Sequence, residues 1–267
     1  MSNSNTALIT GASAGIGAVY ADRLARRGHD LILVARDETR LNALAERLRT
    51  ETGRSVEVQV ADLSARADLL RVERRLREDP SIAMLVNNAG IAVAGPVHGS
   101  DVDRLEAMVT LNITAALRLA HAAVAGFVAR DRGTLINVSY VLALTPERFN
   151  ATYSGTKAFM LNLSIALRTE LAGTAIRVQA VLPGATRTEI WGKAGLDVAA
   201  MPADRVMDVD EMVDAALAGL DLHETVTIPS LPDMADWARF DSARLALGPH
   251  LSLAHAAGRY KTAGDAA

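Results

Sequence analysis

Short β-branched runs alternate along this chain with longer segments of helical periodicity, and this alternation constrains the fold more than any other feature. The strand candidates are the runs ALIT, LILVA, VEVQVA, IAMLVNNAG, TLINVS, IRVQAVLPG and TVTIP, each bounded by Gly, Pro, Asn or Asp. Helical segments lie between them, over roughly residues 16–27, 39–50, 66–78, 102–130, 153–172 and 209–220. Because strand-helix-strand crossovers are right-handed, they give a parallel sheet covered by helices on both faces. The sequence therefore predicts an α/β fold with a doubly wound parallel sheet, whose ligand site lies beyond the carboxyl ends of the strands.

The length and the apolar content favour one domain over residues 1–267. The chain has 267 residues, 50% of them hydrophobic, which is enough for one large core. Glycine, proline and methionine interrupt the periodicity after Pro183, and we interpret residues 187–208 as a helical lid. Trp237, Phe240 and Leu247 then follow at helical intervals, which predicts a C-terminal helical extension over residues 230–267.

Charge and cysteine content favour a small-molecule partner in the cytoplasm. The net charge is -3, with 28 basic and 31 acidic residues, so no strong field attracts nucleic acid or anionic lipid, and neither is expected as a partner. Cysteine is absent, in agreement with a reducing compartment. We find no signal peptide, and runs such as LILVA are too short to span a bilayer. The six histidines show no metal-binding spacing, so no metal is expected.

A glycine-rich turn after the first strand indicates a dinucleotide. ALITGASAGIG places Gly11, Gly15 and Gly17 between a strand and a helix, where backbone N–H groups approach a pyrophosphate, as in a Rossmann fold. The second strand ends in Ala35 and Arg36, and an arginine there favours the 2′-phosphate of NADP over NAD. The alternative is that Arg36 is solvated and the following aspartate, residue 37, binds the ribose instead.

The segment YSGTK places Tyr153 and Lys157 on one face of a helix. A nearby cation is expected to lower the pKa of the tyrosine towards working pH. The pair would then serve as a general acid for carbonyl reduction and as a base for the reverse reaction.

Together these motifs resemble the short-chain dehydrogenase/reductase family over at least residues 6–190. ADL at 61–63 resembles the family's adenine contact, NNAG at 87–90 its fourth-strand motif, and PGATRT at 183–188 the segment that closes over nicotinamide. The resemblance implies NADP as cofactor, bound by Gly11, Ser13, Gly15, Ile16, Gly17, Arg36, Asp62, Leu63, Asn88, Ala89, Gly90, Tyr153, Lys157, Pro183, Gly184 and Thr188. It also implies that Tyr153 is the acid/base, that Lys157 is its partner and that Asn112 holds a proton-relay water.

One position departs from the family pattern. The serine that polarises the substrate carbonyl stands thirteen residues before the active tyrosine, and here Tyr140 occupies that position, with Ser139 one residue too early. Successive strand side chains point to opposite faces. Either Tyr140 projects into the site, or the loop slips by one residue and delivers Ser139 as the catalytic serine.

The expected activity is NADP(H)-dependent interconversion of a hydrophobic ketone or aldehyde with its alcohol by hydride transfer. Apolar segments and the side chains of Tyr140, Phe149 and Trp191 are expected to form the substrate pocket. Two alternatives stay open because of Tyr140: an NADP(H)-binding sensor or scaffold with little or no turnover, and a reductase of C=N substrates. Small residues in the long helices that follow Val102 and Tyr153 predict a homodimer or homotetramer.

Overall fold

A seven-stranded parallel sheet forms the centre of the computed structural model, which describes residues 5–261. The strands are β1 (Thr6–Thr10), β2 (Asp30–Ala35), β3 (Val56–Val60), β4 (Ile82–Asn87), β5 (Gly133–Val138), β6 (Ile176–Val181) and β7 (Val226–Thr227). Their order is β3-β2-β1-β4-β5-β6-β7, and all adjacent pairs are parallel. The predicted doubly wound sheet is confirmed. The strand order reverses between β1 and β4, which places the ligand cleft beyond the ends of these two strands.

Helices cover both faces of the sheet, as the predicted crossovers require. They are α1 (Gly15–Arg26), α2 (Glu38–Thr52), α3 (Arg66–Glu78), α4 (Val102–Val109), α5 (Ala116–Ala129), α6 (Ala151–Glu170), α7 (Ile190–Lys193), α8 (Val209–Asp221) and α9 (Met234–Ala246). Successive residues of β1 point to the two faces of the sheet and join different hydrophobic cores. Ile9 packs with α1, α2 and α8, and Leu8 packs with α3 and α5. This alternation is the period of a strand that is buried on both faces.

The helix predicted over residues 102–130 is interrupted. A π-helical turn, Thr110–Ala115, separates α4 from α5, and such turns frequently occur at functional sites. By length and composition alone, the segment Val102–Ala129 is also apolar enough to cross a membrane, in contrast to the short runs considered in the sequence. However, 56% of the most apolar window is buried within the fold, as in a core helix of a globular protein.

The chain divides into two compact units, and the boundary in the sequence coincides with the predicted start of the C-terminal extension. One unit is Met1–Pro229 and the other is Ser230–Ala267. The second contains α9, in which no residue is buried. Within the first, the predicted lid contains α7, and an isolated parallel bridge joins Thr186 to Met207. Residues 262–267 of the predicted extension lie outside the described residues, and the single-domain assignment over 1–267 stays a prediction.

Candidate active site

A cleft of about 830 Å³ lies beyond the carboxyl ends of β1, β2 and β4. Eleven of the predicted cofactor residues line it: Gly11, Ser13, Gly15, Ile16, Arg36, Asp62, Leu63, Asn88, Ala89, Gly90 and Thr188. A second cavity of about 60 Å³ continues from it and is lined by Tyr153, Lys157, Pro183 and Gly184, together with Ser139, Tyr140 and Trp191. Ile16, Asn88, Gly90, Thr188 and Ile190 border both spaces. The tertiary structure therefore brings the two predicted halves of the site together.

The turn between β1 and α1 is packed so closely that glycine is required. Gly11 has φ +67°, and a Cβ there would lie 2.9 Å from the side-chain nitrogen of Asn88. A Cβ on Gly17 would lie 2.3 Å from the carbonyl oxygen of Gly11. Gly17 lines neither cavity, and its role is this close approach of helix and turn. The backbone N–H groups at the start of α1 are thus exposed to the cleft, where they fit a pyrophosphate.

Thr10 and Asn88 hold the glycine turn against β4. The Thr10 hydroxyl accepts hydrogen bonds from the backbone N–H groups of Asn88, at 2.9 Å, and Ala89, at 3.0 Å. The Asn88 side-chain amide donates to the Thr10 carbonyl at 2.9 Å. The sequence analysis missed Thr10. Its position directly before the glycine turn is the signal that could have found it.

At the adenosine end of the cleft, Arg36 is free to meet a ligand. Its side chain is 71% exposed, and a guanidinium nitrogen lies 3.9 Å from the Asp62 carboxylate. Asp37 is engaged differently, because its carboxylate caps α2 by accepting from the Arg40 backbone N–H at 3.0 Å. This geometry favours the interpretation in which Arg36, rather than Asp37, meets the adenosine ribose and its phosphate.

Tyr153 and Lys157 lie one turn apart in α6 and are 3% and 8% exposed. Asn150 caps this helix by accepting from the backbone N–H of Tyr153 at 3.1 Å. The Lys157 ammonium donates to the Val138 carbonyl at 3.2 Å and lies 5.6 Å from the centre of the Tyr153 ring. The α6 helix therefore delivers both groups to the small cavity.

The expected lowering of the Tyr153 pKa is wrong for this structure. Burial raises the pKa of Tyr153, and the neighbouring Tyr140 raises it further. Burial also lowers the pKa of Lys157 from 10.5 to about 8. The Lys157 ammonium donates to a backbone carbonyl, and desolvation of the Tyr153 phenol outweighs the effect of the nearby positive charge. Tyr153 is thus held as a neutral phenol, which can donate a proton.

Ser139 and Tyr140 follow β5 and make different contacts, although both border the small cavity. Tyr140 has φ -170° and ψ 154°, and the Ser139 backbone N–H donates to Val181 at 2.8 Å. The Ser139 hydroxyl donates to the Lys157 backbone carbonyl at 2.6 Å. No register slip occurs at this strand end. Ser139 borders the small cavity, but its hydroxyl holds α6, a geometry that does not support Ser139 as the carbonyl-polarising group.

Aromatic rings form the substrate side of the small cavity. The Tyr140 ring centre lies 6.0 Å from that of Tyr153 and 5.8 Å from that of Trp191. Phe149 lies 5.5 Å from Tyr153 and 6.2 Å from Trp191, and all four contacts are edge-to-face. The indole N–H of Trp191 donates to the Thr186 carbonyl at 3.0 Å. Tyr140 and Phe149 therefore contact the ring of Tyr153, and Trp191 packs against both of them. Phe149 lines neither cavity.

Asn112 lies in the π-helical turn and is 3% exposed. Its amide donates to the Ile91 carbonyl at 2.9 Å and to the Thr156 hydroxyl at 3.2 Å, and its oxygen accepts from the Ile91 N–H at 2.9 Å. The side chain thus joins the segment after β4 to α6. Because both amide protons are used, the predicted water contact would fall to the backbone carbonyl of Asn112.

A family model described as short chain dehydrogenase matches residues 5–199. The chain belongs to this family. This short-chain dehydrogenase is similar to solved structures over nearly its whole length. One is a short-chain dehydrogenase from Sphingobium yanoikuyae in complex with NADPH, with 53% identity, a TM-score of 0.93 and coverage of 96% of this chain and 99% of that chain.

Two further relatives narrow the class of protein. A bulky-bulky ketone specific alcohol dehydrogenase from Comamonas testosteroni is 47% identical, with a TM-score of 0.90, and the match covers 97% of this chain and 100% of that chain. An uncharacterized oxidoreductase of Staphylococcus saprophyticus is 29% identical over 83% of this chain and 93% of the relative. This short-chain dehydrogenase is therefore an oxidoreductase, as the sequence predicted.

Proposed function

We propose that this short-chain dehydrogenase is an NADP(H)-dependent oxidoreductase that interconverts a hydrophobic ketone or aldehyde with its alcohol. The observation that carries the proposal is the position of Tyr153. Its buried phenol borders a small cavity that opens into the dinucleotide cleft, and aromatic rings surround it on the other side. A carbonyl group placed there would meet a proton donor within an apolar pocket.

The cleft fits NADP in its shape and in its charge. Its glycine turn exposes backbone N–H groups for a pyrophosphate, and Arg36 is available for a 2′-phosphate. The NADPH bound to the Sphingobium relative supports the same cofactor here. When bound, NADPH supplies a hydride from C4 of its nicotinamide to the carbonyl carbon of the substrate.

In carbonyl reduction, Tyr153 is the general acid. Its O–H bond breaks, and the proton passes to the substrate oxygen as the carbonyl becomes an alcohol. Lys157 holds a positive charge 5.6 Å from the centre of the Tyr153 ring at neutral pH, because its pKa of about 8 keeps it mostly protonated there. This charge favours the phenolate that forms as the proton leaves. Asn112 would hold the relay water through its backbone carbonyl.

The aromatic wall favours large apolar substrates. Phe149 contacts the rings of Tyr153 and Trp191 edge-to-face, and Tyr140 contacts the same two rings in the same way. Such a wall binds aryl and alkyl groups better than charged ones. The ketone specificity in the name of the Comamonas relative supports a ketone with bulky groups. We do not propose small charged keto acids as substrates.

The presence of Tyr140 in place of the family's serine supports a second candidate function, that of an NADP(H)-binding sensor or scaffold with little turnover. The phenol at 140 occupies the position of the family's polarising serine, and the Ser139 hydroxyl is held by α6. Loss of one donor to a developing oxyanion costs about 3 to 4 kcal/mol. Turnover of ordinary ketones would then be a few hundredfold lower. A reductase of C=N substrates is a third candidate from the same observation.

One assay separates these candidates. Purified protein is mixed with NADPH and panels of ketones, imines and keto acids, and nicotinamide absorbance is followed. Oxidation of NADPH by bulky ketones, lost in Tyr153→Phe, supports the proposal. Binding of NADPH without turnover on any panel would favour the sensor, and turnover confined to imines would favour the third candidate. The wild-type protein should bind NADPH about tenfold or more tightly than NADH, because of Arg36. The variant Arg36→Asp should reverse this preference.

We also propose that the protein is a cytoplasmic homodimer or homotetramer. Leu117 and Val128 of α5 are 40% and 50% exposed, so this helix presents apolar side chains that a second copy could cover. Light scattering at micromolar concentration tests the proposal. A monomeric mass would contradict it.

A further inference from the structure

An ion pair crosses the dinucleotide cleft and joins its adenosine side to the lid. Arg40 lies in the first turn of α2, and Glu189 directly precedes α7. One guanidinium nitrogen of Arg40 lies 2.9 Å from each carboxylate oxygen of Glu189, although the two residues are 149 positions apart in the chain. Both residues line the cleft. We call this contact the Arg40–Glu189 bridge.

Arg40 also lies beside the position where the 2′-phosphate of NADP would bind. Arg36 directly precedes the cap of α2, Arg40 follows it in the first turn, and both residues line the cleft. Arg36 is 71% exposed, with Asp62 3.9 Å away. A phosphate dianion offers three acceptor oxygens and commonly binds more than one cation. The structure thus places a second guanidinium within the reach of this site.

The Arg40–Glu189 bridge is of a kind that a phosphate can displace. Its side chains are 49% and 50% exposed, and an ion pair between such groups contributes little because water screens it. A guanidinium bound to a phosphate dianion makes a stronger, charge-assisted hydrogen bond. Glu189 would keep a cation after the exchange, because the Lys193 ammonium lies 3.2 Å from it.

We propose that Arg40 exchanges Glu189 for the 2′-phosphate of NADP. Arg40 is then a second determinant of cofactor preference, and the exchange releases the start of α7 when NADP binds. This inference rests on the NADP-dependent function proposed above. It links occupation of the adenosine end of the cleft to the lid segment that carries Trp191, a ring of the substrate pocket.

If this exchange occurs, replacement of Arg40 and replacement of Glu189 should change the affinity for NADPH in opposite directions. Arg40→Gln removes a phosphate ligand and should weaken NADPH binding about tenfold while NADH binding changes little. Glu189→Gln removes the competitor and should strengthen NADPH binding about two- to fivefold relative to NADH. Arg47→Gln is the matched control, because Arg47 lies on the same helix and pairs with Asp22 and Glu51. It should leave the ratio of the two dissociation constants unchanged.

Calorimetric titration of the wild-type protein and the three variants with NADPH and NADH tests the exchange. It separates the exchange from a bridge that closes over the cofactor and from a bridge with no role in binding. A bridge that closes over bound cofactor would make both Arg40→Gln and Glu189→Gln weaken both cofactors, which would overturn the proposal. Equal affinities in all four proteins would also overturn it. If the wild-type protein shows no preference for NADPH, the proposed cofactor itself is wrong, a result distinct from failure of the exchange.

Release of the lid has its own readout in Trp191 fluorescence. The chain has two tryptophans, so Trp237→Phe leaves Trp191, which is 4% exposed and two residues beyond Glu189. The probes are adenosine 2′,5′-bisphosphate, which lacks the nicotinamide half, and 5′-AMP, which also lacks the 2′-phosphate. We expect the bisphosphate, and not 5′-AMP, to change Trp191 emission, and Arg40→Gln to abolish this change. Binding of the bisphosphate with unchanged emission would refute the release of the lid.

Discussion

Replacement of Lys157 by methionine should stabilise the fold while it removes activity. Lys157 is 8% exposed, and burial lowers its pKa from 10.5 to about 8. At about 1.4 kcal/mol per pKa unit, this interval corresponds to a cost of about 3 kcal/mol for holding the charge in the folded state at neutral pH. Methionine removes the charge at similar length. It also loses the charge-assisted hydrogen bond to Val138, worth about 1.5 kcal/mol. The expected net gain is about 1.5 kcal/mol in the free energy of unfolding, or about 3 to 6 °C in Tm.

The gain should depend on pH in a defined direction. Below a pH of about 8, Lys157 is charged in both the folded and the unfolded protein, and the full cost of burying its charge is present. Between about 8 and 10.5, the folded state loses its proton first, so the unfolded state binds more protons and the stability of the wild-type protein rises with pH. The advantage of Lys157→Met should therefore shrink across this window. The raised pKa values of the buried tyrosines are common to both proteins and cancel in the comparison.

Urea unfolding at pH 7, 8, 9 and 10 measures this effect, with activity assayed in parallel. Lys193→Met is the matched control, because that side chain is 73% exposed and its loss should change stability by less than about 0.5 kcal/mol. The reasoning is refuted if Lys157→Met is no more stable than the wild-type protein at pH 7. It is equally refuted if the difference stays constant up to pH 10.

Three further predictions concern the proton donor, the anomalous tyrosine and the glycine turn. Tyr153→Phe should lower kcat for ketone reduction by about 10³-fold or more and change the Kd for NADPH much less; a parallel loss of kcat and NADPH affinity would contradict the role of proton donor. Tyr140→Ser should raise kcat/KM for ketones, and Tyr140→Phe should change it little, whereas equal losses in both variants would make the phenol an active participant. Gly17→Ala should abolish NADPH binding by calorimetry, because its Cβ would meet the Gly11 carbonyl oxygen at 2.3 Å. In its control, Gly155→Ala, the new Cβ meets no atom within 4 Å, so helix α6 should gain about 1 kcal/mol.

Local sequence patterns were sufficient to predict the sheet and both halves of the site. The seven predicted strands all occur, because each is a short apolar run bounded by residues that end strands. The spacing of Tyr153 and Lys157 fixed their common helix face. The position of Arg36 at the end of β2 followed from the same kind of local pattern.

Several features of the site depended on contacts that no local pattern contains. The helix predicted over 102–130 contains a π turn, in which Asn112 bonds to Ile91 and Thr156. The partners of Thr10 directly follow β4, 78 and 79 positions away, and Arg40 was missed because Glu189 is 149 positions away. The expected lowering of the Tyr153 pKa was wrong for a similar reason, since burial by neighbouring elements outweighs the nearby charge.

The sequence by itself determined the order of the elements, the glycine turn and the residues that meet at the carboxyl edge of the sheet, because these follow from the periods of strand and helix and from glycine's conformational freedom. It left open whether Ser139 or Tyr140 faces the substrate. The tertiary structure gives the two side chains different contacts, although both border the small cavity. The backbone of β5 keeps its pairing with β6 to residue 139, and the Ser139 hydroxyl finds an acceptor on α6. The strict alternation of an extended strand then turns the Tyr140 ring towards Tyr153.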